Sequence, residues 1–173
     1  MTSSGPRSYS RFVGAEGNMS LTIEKILVPA KQRRTQQGTG ETERRLGIFV
    51  VFTSVESTLV ALKEAGTLAA SLGARITLLV PQVVPHPLPL EHPNVLIDFN
   101  EKRFRVLAGR GPVETQVQIY LCRDRVHTLS SILGPGAIVV LGGRTRRLWP
   151  TRDQLLAREL RRAGLEVIFK ETE

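Results

Sequence analysis

The chain has 173 residues, of which 41% are hydrophobic, and it carries a formal charge of +8. This length suffices for one domain with its own core, and the apolar residues come in runs too short to span a membrane. A single cysteine, Cys122, excludes an internal disulfide and favours a cytoplasmic protein, while the positive charge favours anionic partners such as phosphate, nucleotide, nucleic acid or an acidic membrane surface.

The first 45 residues predict an arm and a basic linker that precede the domain at 46–173. Residues 1–18 are rich in Ser, Gly and Arg, which indicates an extended or disordered segment, and Met19 is a candidate for the true start. The segment IEKILVPA at 23–30 is a β-branched run that ends in a proline turn. We expect it to add an edge strand, the alternative being an arm that pairs with a second subunit.

From residue 46 onward, short apolar runs alternate with segments of helical periodicity. The runs predict five strands, at 46–52, 74–80, 117–121, 137–141 and 165–169. The proline-rich segment at 81–93 predicts a loop that holds neither a helix nor an inner strand, and a helix is expected over 94–108. This alternation predicts an α/β fold, a doubly wound five-stranded parallel sheet of the Rossmann-like type, whose ligands bind beyond the carboxyl ends of the strands.

Capping signals set the expected ends of the other helices. Thr53 and Glu56 match a capping box for the first, and Gly73 matches its left-handed stop. Asp124 is the expected cap of a short helix that Gly134 ends. Thr151 and Gln154 match a second capping box. The helix that it opens is expected to turn four apolar residues inward, Leu155, Leu156, Leu160 and Ala163.

Two phrases resemble the universal stress protein family, whose fold is adenine nucleotide alpha hydrolase-like. IFVVFTSVESTLVALKEAGTLAASLGARITLLVPQVVP is similar to that family's first strand, first helix and second strand, and GPGAIVVLGGRTRR is similar to its fourth strand and the turn after it. The similarity covers about Leu46 to Lys170. It implies a regulatory module that acts in stress response and forms a homodimer. The sequence has no GxSxG elbow, HExxH helix or Walker-type lysine loop, which argues against an enzyme.

The resemblance also implies a nucleotide site at the ends of the first and fourth strands, with a modified motif. Members that bind ATP carry an aspartate where Thr53 stands, and a second glycine where Thr145 stands; Pro150 and Thr151 occupy the region of a Gly-Ser or Gly-Thr pair. The candidate residues are Thr53, Ser54, Val80, Gly142, Gly143, Arg144, Thr145, Arg146 and Thr151. We therefore expect no cofactor held in the family's manner. ATP or another adenine nucleotide held by Arg144 and Arg146 stays an alternative.

Other candidate sites favour no chemistry. His86 and His92 lack companion ligands, so no metal site is expected. Cys122 is expected to be a partly buried thiol at a strand end, and Trp149 an indole that closes the edge of the sheet. The arginine-rich stretch 144–162 leaves two further hypotheses, a polyanion or nucleic-acid-binding module and a protein-docking surface. Its single aromatic residue counts against nucleic acid.

Overall fold

A computed structural model describes residues 23–24, 46–88, 103–104, 106–110 and 114–172. The elements in chain order are β1 (Ile23–Glu24), β2 (Gly47–Val51), α1 (Val55–Leu72), β3 (Arg75–Val83), β4 (Thr115–Cys122), α2 (Arg125–Ile132), β5 (Ile138–Gly143), α3 (Arg152–Arg162) and β6 (Glu166–Glu171). Residues 103–104 and 106–108 are also helical, within the helix expected over 94–108. The proposed arm and linker lie outside the described residues except for β1.

The strands form one parallel sheet in the order β1-β4-β3-β2-β5-β6. The five predicted strands are confirmed, and the two residues of β1 extend the sheet beside β4, at the position of an edge strand. The chain runs outward from β2 to β3 and β4, and then returns to the other side of β2 for β5 and β6. This reversal between β2 and β5 is where a doubly wound sheet opens a crevice for a ligand.

Alternating residues of the central strands pack into two cores, one on each face of the sheet. Val50 and Val140 pack with α1, whereas Val51 and Leu141 pack with α2 and α3. Strands buried on both faces require helices on both sides, as the continuous apolar runs predicted. Each of these four valine and leucine side chains is fully buried.

β3 continues through Pro81 to Val83, so the expectation that the segment from residue 81 cannot hold an inner strand is wrong. β2 ends at Val51, which is paired with Leu79, and beyond that pair β3 has only β4 beside it. The N–H of Phe52 donates to the carbonyl of Leu79 at 2.9 Å. The backbone N–H and carbonyl groups of odd-numbered residues in β3 therefore point toward β2. The N–H of residue 81 would be the next to donate to β2, to the carbonyl of Phe52. Because proline has no N–H, the ladder between β2 and β3 ends there, and β3 continues beside β4 alone.

Two details of the helix ends differ from the predictions. α1 is capped by Ser54, whose side chain accepts from the N–H of Ser57, and not by a box of Thr53 and Glu56. Gly73 adopts the expected left-handed conformation with φ 63°, but α2 ends at an extended Leu133 without a left-handed Gly134. The caps at Asp124 and at Thr151 with Gln154 are confirmed.

The inward face of α3 also differs in part. Leu156 and Leu160 are buried as predicted, whereas Leu155 and Ala163 are exposed. Ala157, which was not predicted to face inward, is also buried. An apolar residue at helical spacing can still lie at the edge of the buried stripe, since the width of that stripe depends on what packs against it.

Candidate functional site

A cleft of about 420 Å³ lies where β2 and β5 end and where α1 and α3 begin. Its lining residues are Ser54, Glu56, Ser57, Arg144, Arg146, Trp149, Pro150, Thr151 and Asp153. The topology explains its position, because the carboxyl ends of two adjacent parallel strands meet at one edge while their connections diverge to opposite faces. The predicted location of the site is therefore a real cleft.

Thr53 connects β2 to β5 beneath this cleft. Its Oγ1 donates a hydrogen bond to the carbonyl of Gly142 at 2.9 Å, and its N–H donates to Oγ1 of Thr58 at 3.3 Å. Thr58 is fully buried and Thr53 is not among the lining residues. The residue that stands where the resembling family carries an adenine-binding carboxylate thus uses its hydroxyl within the protein.

The two glycines lie inside β5 and pack against different helices. A Cβ on Gly142 would lie 1.9 Å from the carbonyl oxygen of Ser57 in α1. A Cβ on Gly143 would lie 2.7 Å from Cβ of Asp153 in α3 and 2.9 Å from the ring of Phe169 in β6. Both glycines are buried. Close helix packing on both faces therefore explains why neither position has a side chain, and the connection after β5 begins only at residue 144.

Residues 144–151, which we name the arginine loop, are held by the cap of α3. The side-chain oxygen of Gln154 accepts from the N–H of Arg146 at 3.3 Å and from the N–H of Thr151 at 2.8 Å. Oγ1 of Thr151 donates to the carbonyl of Arg144 at 2.8 Å. Two backbone amides of the connection are therefore engaged by a side chain of the protein itself.

The charges that line the cleft nearly balance. Arg144 and Arg146 contribute two positive charges, and Glu56 and Asp153 contribute two carboxyl groups. An Nη2 atom of Arg144 lies 3.9 Å from Oε2 of Glu56, and both side chains are largely exposed, so the pair contributes little to stability. Burial raises the pKa of Asp153, an effect that the charge of Arg125 opposes. A polyphosphate in the cleft would meet two carboxyl groups as well as two arginines.

Four of the nine predicted site residues line the cleft, namely Ser54, Arg144, Arg146 and Thr151. Thr53 and Gly142 are hydrogen-bonded to each other and do not line the cleft. Gly143 packs against Asp153 at the start of α3. Thr145 is exposed and its hydroxyl donates to the carboxylate of Glu171. Val80 is buried in the core on the α1 side and is not among the lining residues.

Three of the five lining residues that the sequence prediction omitted come from helix starts, and Trp149 and Pro150 come from the loop after β5. Glu56, Ser57 and Asp153 belong to the first turns of α1 and α3, so the capping signals could have indicated them. Trp149 is 80% exposed and lines the cleft, so the expectation of an indole that closes the sheet edge is wrong. Its loop is bonded to the start of α3 through Gln154 on either side of Trp149.

The other candidates have structural roles where they are described. Cys122 is buried at the end of β4, with its Sγ 3.6 Å from the carbonyl of Gln82, and burial raises the pKa of its thiol. Asp124 accepts from the N–H of His127 as the cap of α2. No group of three or more potential metal ligands occurs among the described residues. His92 lies outside them.

These features define a doubly wound α/β domain with a crevice at its topological switch point. Among solved structures, a protein of the universal stress protein family from Burkholderia pseudomallei superimposes with a TM-score of 0.50 at 18% identity, over 73% of this chain and 96% of that chain. A universal stress protein in complex with cAMP superimposes with a TM-score of 0.48 at 15% identity, over 75% and 98% of the two chains.

No family model matches the sequence, and no curated protein matches it. The likeness to the Burkholderia structure confirms the resemblance at the level of the fold. In the described part of the chain, none of the helices combines the length and the apolar character needed to cross a membrane.

Proposed function

We propose that this chain is a regulatory module of the universal stress protein type that acts in stress response without catalysis and does not hold ATP through a backbone cradle. The carrying observation is the double hydrogen bond of Gln154 to the N–H groups of Arg146 and Thr151. A phosphate cradle needs free amides that converge on one point. Here a phosphate bound by these two amides would have to displace the Gln154 side chain from the cap of α3.

Two further features support this proposal. Thr53 has an uncharged hydroxyl, which donates to the carbonyl of Gly142. The position therefore offers the adenine amino group no charged acceptor. The cleft places Glu56 and Asp153 beside the two arginines, and like charges disfavour a polyphosphate. A module of this kind regulates through association rather than through turnover.

The proposal includes a cytoplasmic homodimer. β6 lies at one end of the strand order and pairs only with β5 among the described residues, and its central residues are half-buried. Such an edge presents backbone groups to which another strand can bond. One of them, the carbonyl of Val167, already accepts from the guanidinium of Arg161 at 2.9 Å, so a partner strand would pair beyond it or displace that side chain. Sedimentation equilibrium of the full chain at micromolar concentration tests this part, and a monomer mass would contradict it.

The test of the nucleotide proposal is thermal unfolding with and without millimolar ATP, ADP or AMP. We expect little or no rise in Tm, because a site that barely binds adds little stability by mass action. Mass spectrometry of the denatured, freshly purified protein should find no nucleotide. The matched variant is Arg144→Ala with Arg146→Ala.

A second candidate is an adenine nucleotide held by arginine side chains, which the presence of Arg144 and Arg146 in the cleft lining favours. It predicts a rise in Tm of several degrees with ATP that the double alanine variant abolishes. That result would replace the first proposal. A rise that persists in the double variant would contradict both.

A further inference from the structure

The two most exposed large apolar side chains described in the protein are neighbours in the arginine loop. Leu148 is 88% exposed and Trp149 is 80% exposed. Four exposed arginines surround them in sequence, Arg144, Arg146, Arg147 and Arg152. Residues 144–152 contain no acidic residue. An adjacent leucine and tryptophan exposed to water, within a stretch of sequence whose charges are all positive, point to a binding surface. The nearest carboxyl groups, Glu56 and Asp153, belong to the neighbouring helix starts that line the cleft.

Hydrogen bonds restrain the loop on both sides of this pair. The N–H groups of Arg146 and Thr151 both donate to the side-chain oxygen of Gln154, and the hydroxyl of Thr151 donates to the carbonyl of Arg144. These bonds restrict the loop between residues 144 and 151, which reduces the conformational entropy lost when its tip becomes ordered against a surface. Leu148 and Trp149 are thus pre-positioned for contact.

We propose that the arginine loop docks on an anionic lipid surface, with Leu148 and Trp149 entering the boundary between headgroups and acyl chains and the arginines contacting lipid phosphates. Tryptophan favours this boundary because its ring is apolar and its N–H is polar. Neither a small apolar tip nor a basic cluster anchors a protein strongly alone, and stable docking uses both signals together. The total charge of +8 adds long-range attraction.

The geometry favours a lipid surface over the other anionic partners. A protein hot spot lies at the centre of a packed patch whose rim excludes water, whereas this pair protrudes among guanidinium groups. Single-stranded nucleic acids are held by several stacked aromatic rings, and Trp149 is the one aromatic residue in 144–162. This inference goes beyond the proposed function and does not depend on whether a nucleotide binds.

Trp149 is the protein's only tryptophan, so its fluorescence reports on the loop directly. The full chain is mixed with phosphatidylcholine vesicles that contain about one third phosphatidylserine, at low and at physiological salt. We expect sedimentation with the vesicles, a blue shift of the Trp149 emission, and weaker binding at the higher salt. Vesicles of phosphatidylcholine alone should bind far less.

Two loop variants separate the two signals. Arg146→Gln with Arg147→Gln should lower the vesicle partition coefficient by about fivefold for each arginine. Leu148→Ser should lower it by roughly three- to tenfold and leave Trp149 as the reporter.

Matched controls change the same residue types at the opposite edge of the sheet, where the strands begin. They are Arg75→Gln with Arg110→Gln, and Leu72→Ser. These exposed positions should leave the partition coefficient within about twofold, apart from the general effect of net charge. Circular dichroism checks that every variant is folded.

Three outcomes would overturn the proposal. The first is no binding to the anionic vesicles at low salt. The second is binding that the loop variants and the matched controls reduce equally, which would assign it to general charge or to the basic linker. The third is a blue shift with soluble heparin or poly-glutamate and none with vesicles, which would assign the loop to a polyanion or to an acidic protein.

Discussion

Gly142 provides the sharpest test of how the end of β5 is built. Replacing it with alanine would place a Cβ 1.9 Å from the carbonyl oxygen of Ser57, whereas ordinary carbon–oxygen contacts lie at about 3.3 Å or more. The atom that it meets belongs to the backbone of α1, so no side-chain rotation relieves the contact. α1 would have to move by about 1.4 Å from the sheet. We expect a loss of about 3 kcal/mol or more in the free energy of unfolding, at the upper end of overpacking effects.

Other glycines supply a graded comparison. Gly143→Ala would place its Cβ 2.7 Å from Cβ of Asp153, which moves only with the backbone of α3, and 2.9 Å from the ring of Phe169. The overlap is smaller than at Gly142, and we expect a loss of about 2 kcal/mol. Gly134→Ala meets nothing within 4 Å and lacks a positive φ, so it should be neutral or slightly stabilising. A Cβ on Gly73 would also meet nothing within 4 Å, but its φ of 63° is unfavourable for alanine, so Gly73→Ala should lower the free energy of unfolding by about 1 kcal/mol.

The measurement is urea denaturation followed by far-ultraviolet circular dichroism, with the slope compared among variants. Tryptophan fluorescence is unsuitable here because Trp149 is already 80% exposed in the folded state. If Gly142→Ala unfolds within about 1 kcal/mol of Gly134→Ala, the packing explanation for this glycine is refuted. A substitution at Gly142 therefore cannot serve as a test of nucleotide binding, since any side chain there disturbs α1.

Three more predictions concern the cleft and its surroundings. Gln154→Ala should lower the free energy of unfolding by about 1–2 kcal/mol and speed hydrogen exchange at the Arg146 and Thr151 amides. Gln154→Glu keeps an acceptor and should retain most of the protection from exchange. Equal exchange rates in the wild type and the alanine variant would contradict the anchoring role. Burial raises the pKa of the Cys122 thiol, so Ellman's reagent should leave it unreacted in the folded protein and modify it after unfolding, and rapid reaction of the native protein would refute this. Because burial also raises the pKa of Asp153, its ionisation opposes folding; Asp153→Asn should gain stability relative to wild type as the pH rises from about 4 to about 7, and a difference independent of pH would contradict that cause.

Local and periodic signals in the sequence predicted most of the fold. Apolar runs located all five central strands, since a strand buried on both faces must be apolar along its length. Asp124 and the pair Thr151 and Gln154 located two helix starts, because a cap acts on amides only two or three residues away. The edge of the sheet that carries the cleft followed from strand direction alone.

The sequence was a weaker guide wherever a residue's role depends on a distant partner. Pro81 is tolerated in β3 because the ladder with β2 ends at this residue while the ladder with β4 continues on the other side, which no local pattern reveals. Thr53 and Ser54 are equally good caps by residue type, and the choice was made by the bond between the Thr53 hydroxyl and Gly142, 89 positions away.

By itself, then, the sequence of this protein determined a doubly wound α/β fold, the position of its cleft and the unusual residues of the connection after β5. Only the tertiary structure decided what those residues do. Gly142 and Gly143 approach two helices on opposite faces, Gln154 holds the loop amides, and Leu148 and Trp149 project into solvent. The physical reason is that composition and periodicity report average burial, whereas close contacts and free amides depend on how separate segments are packed together.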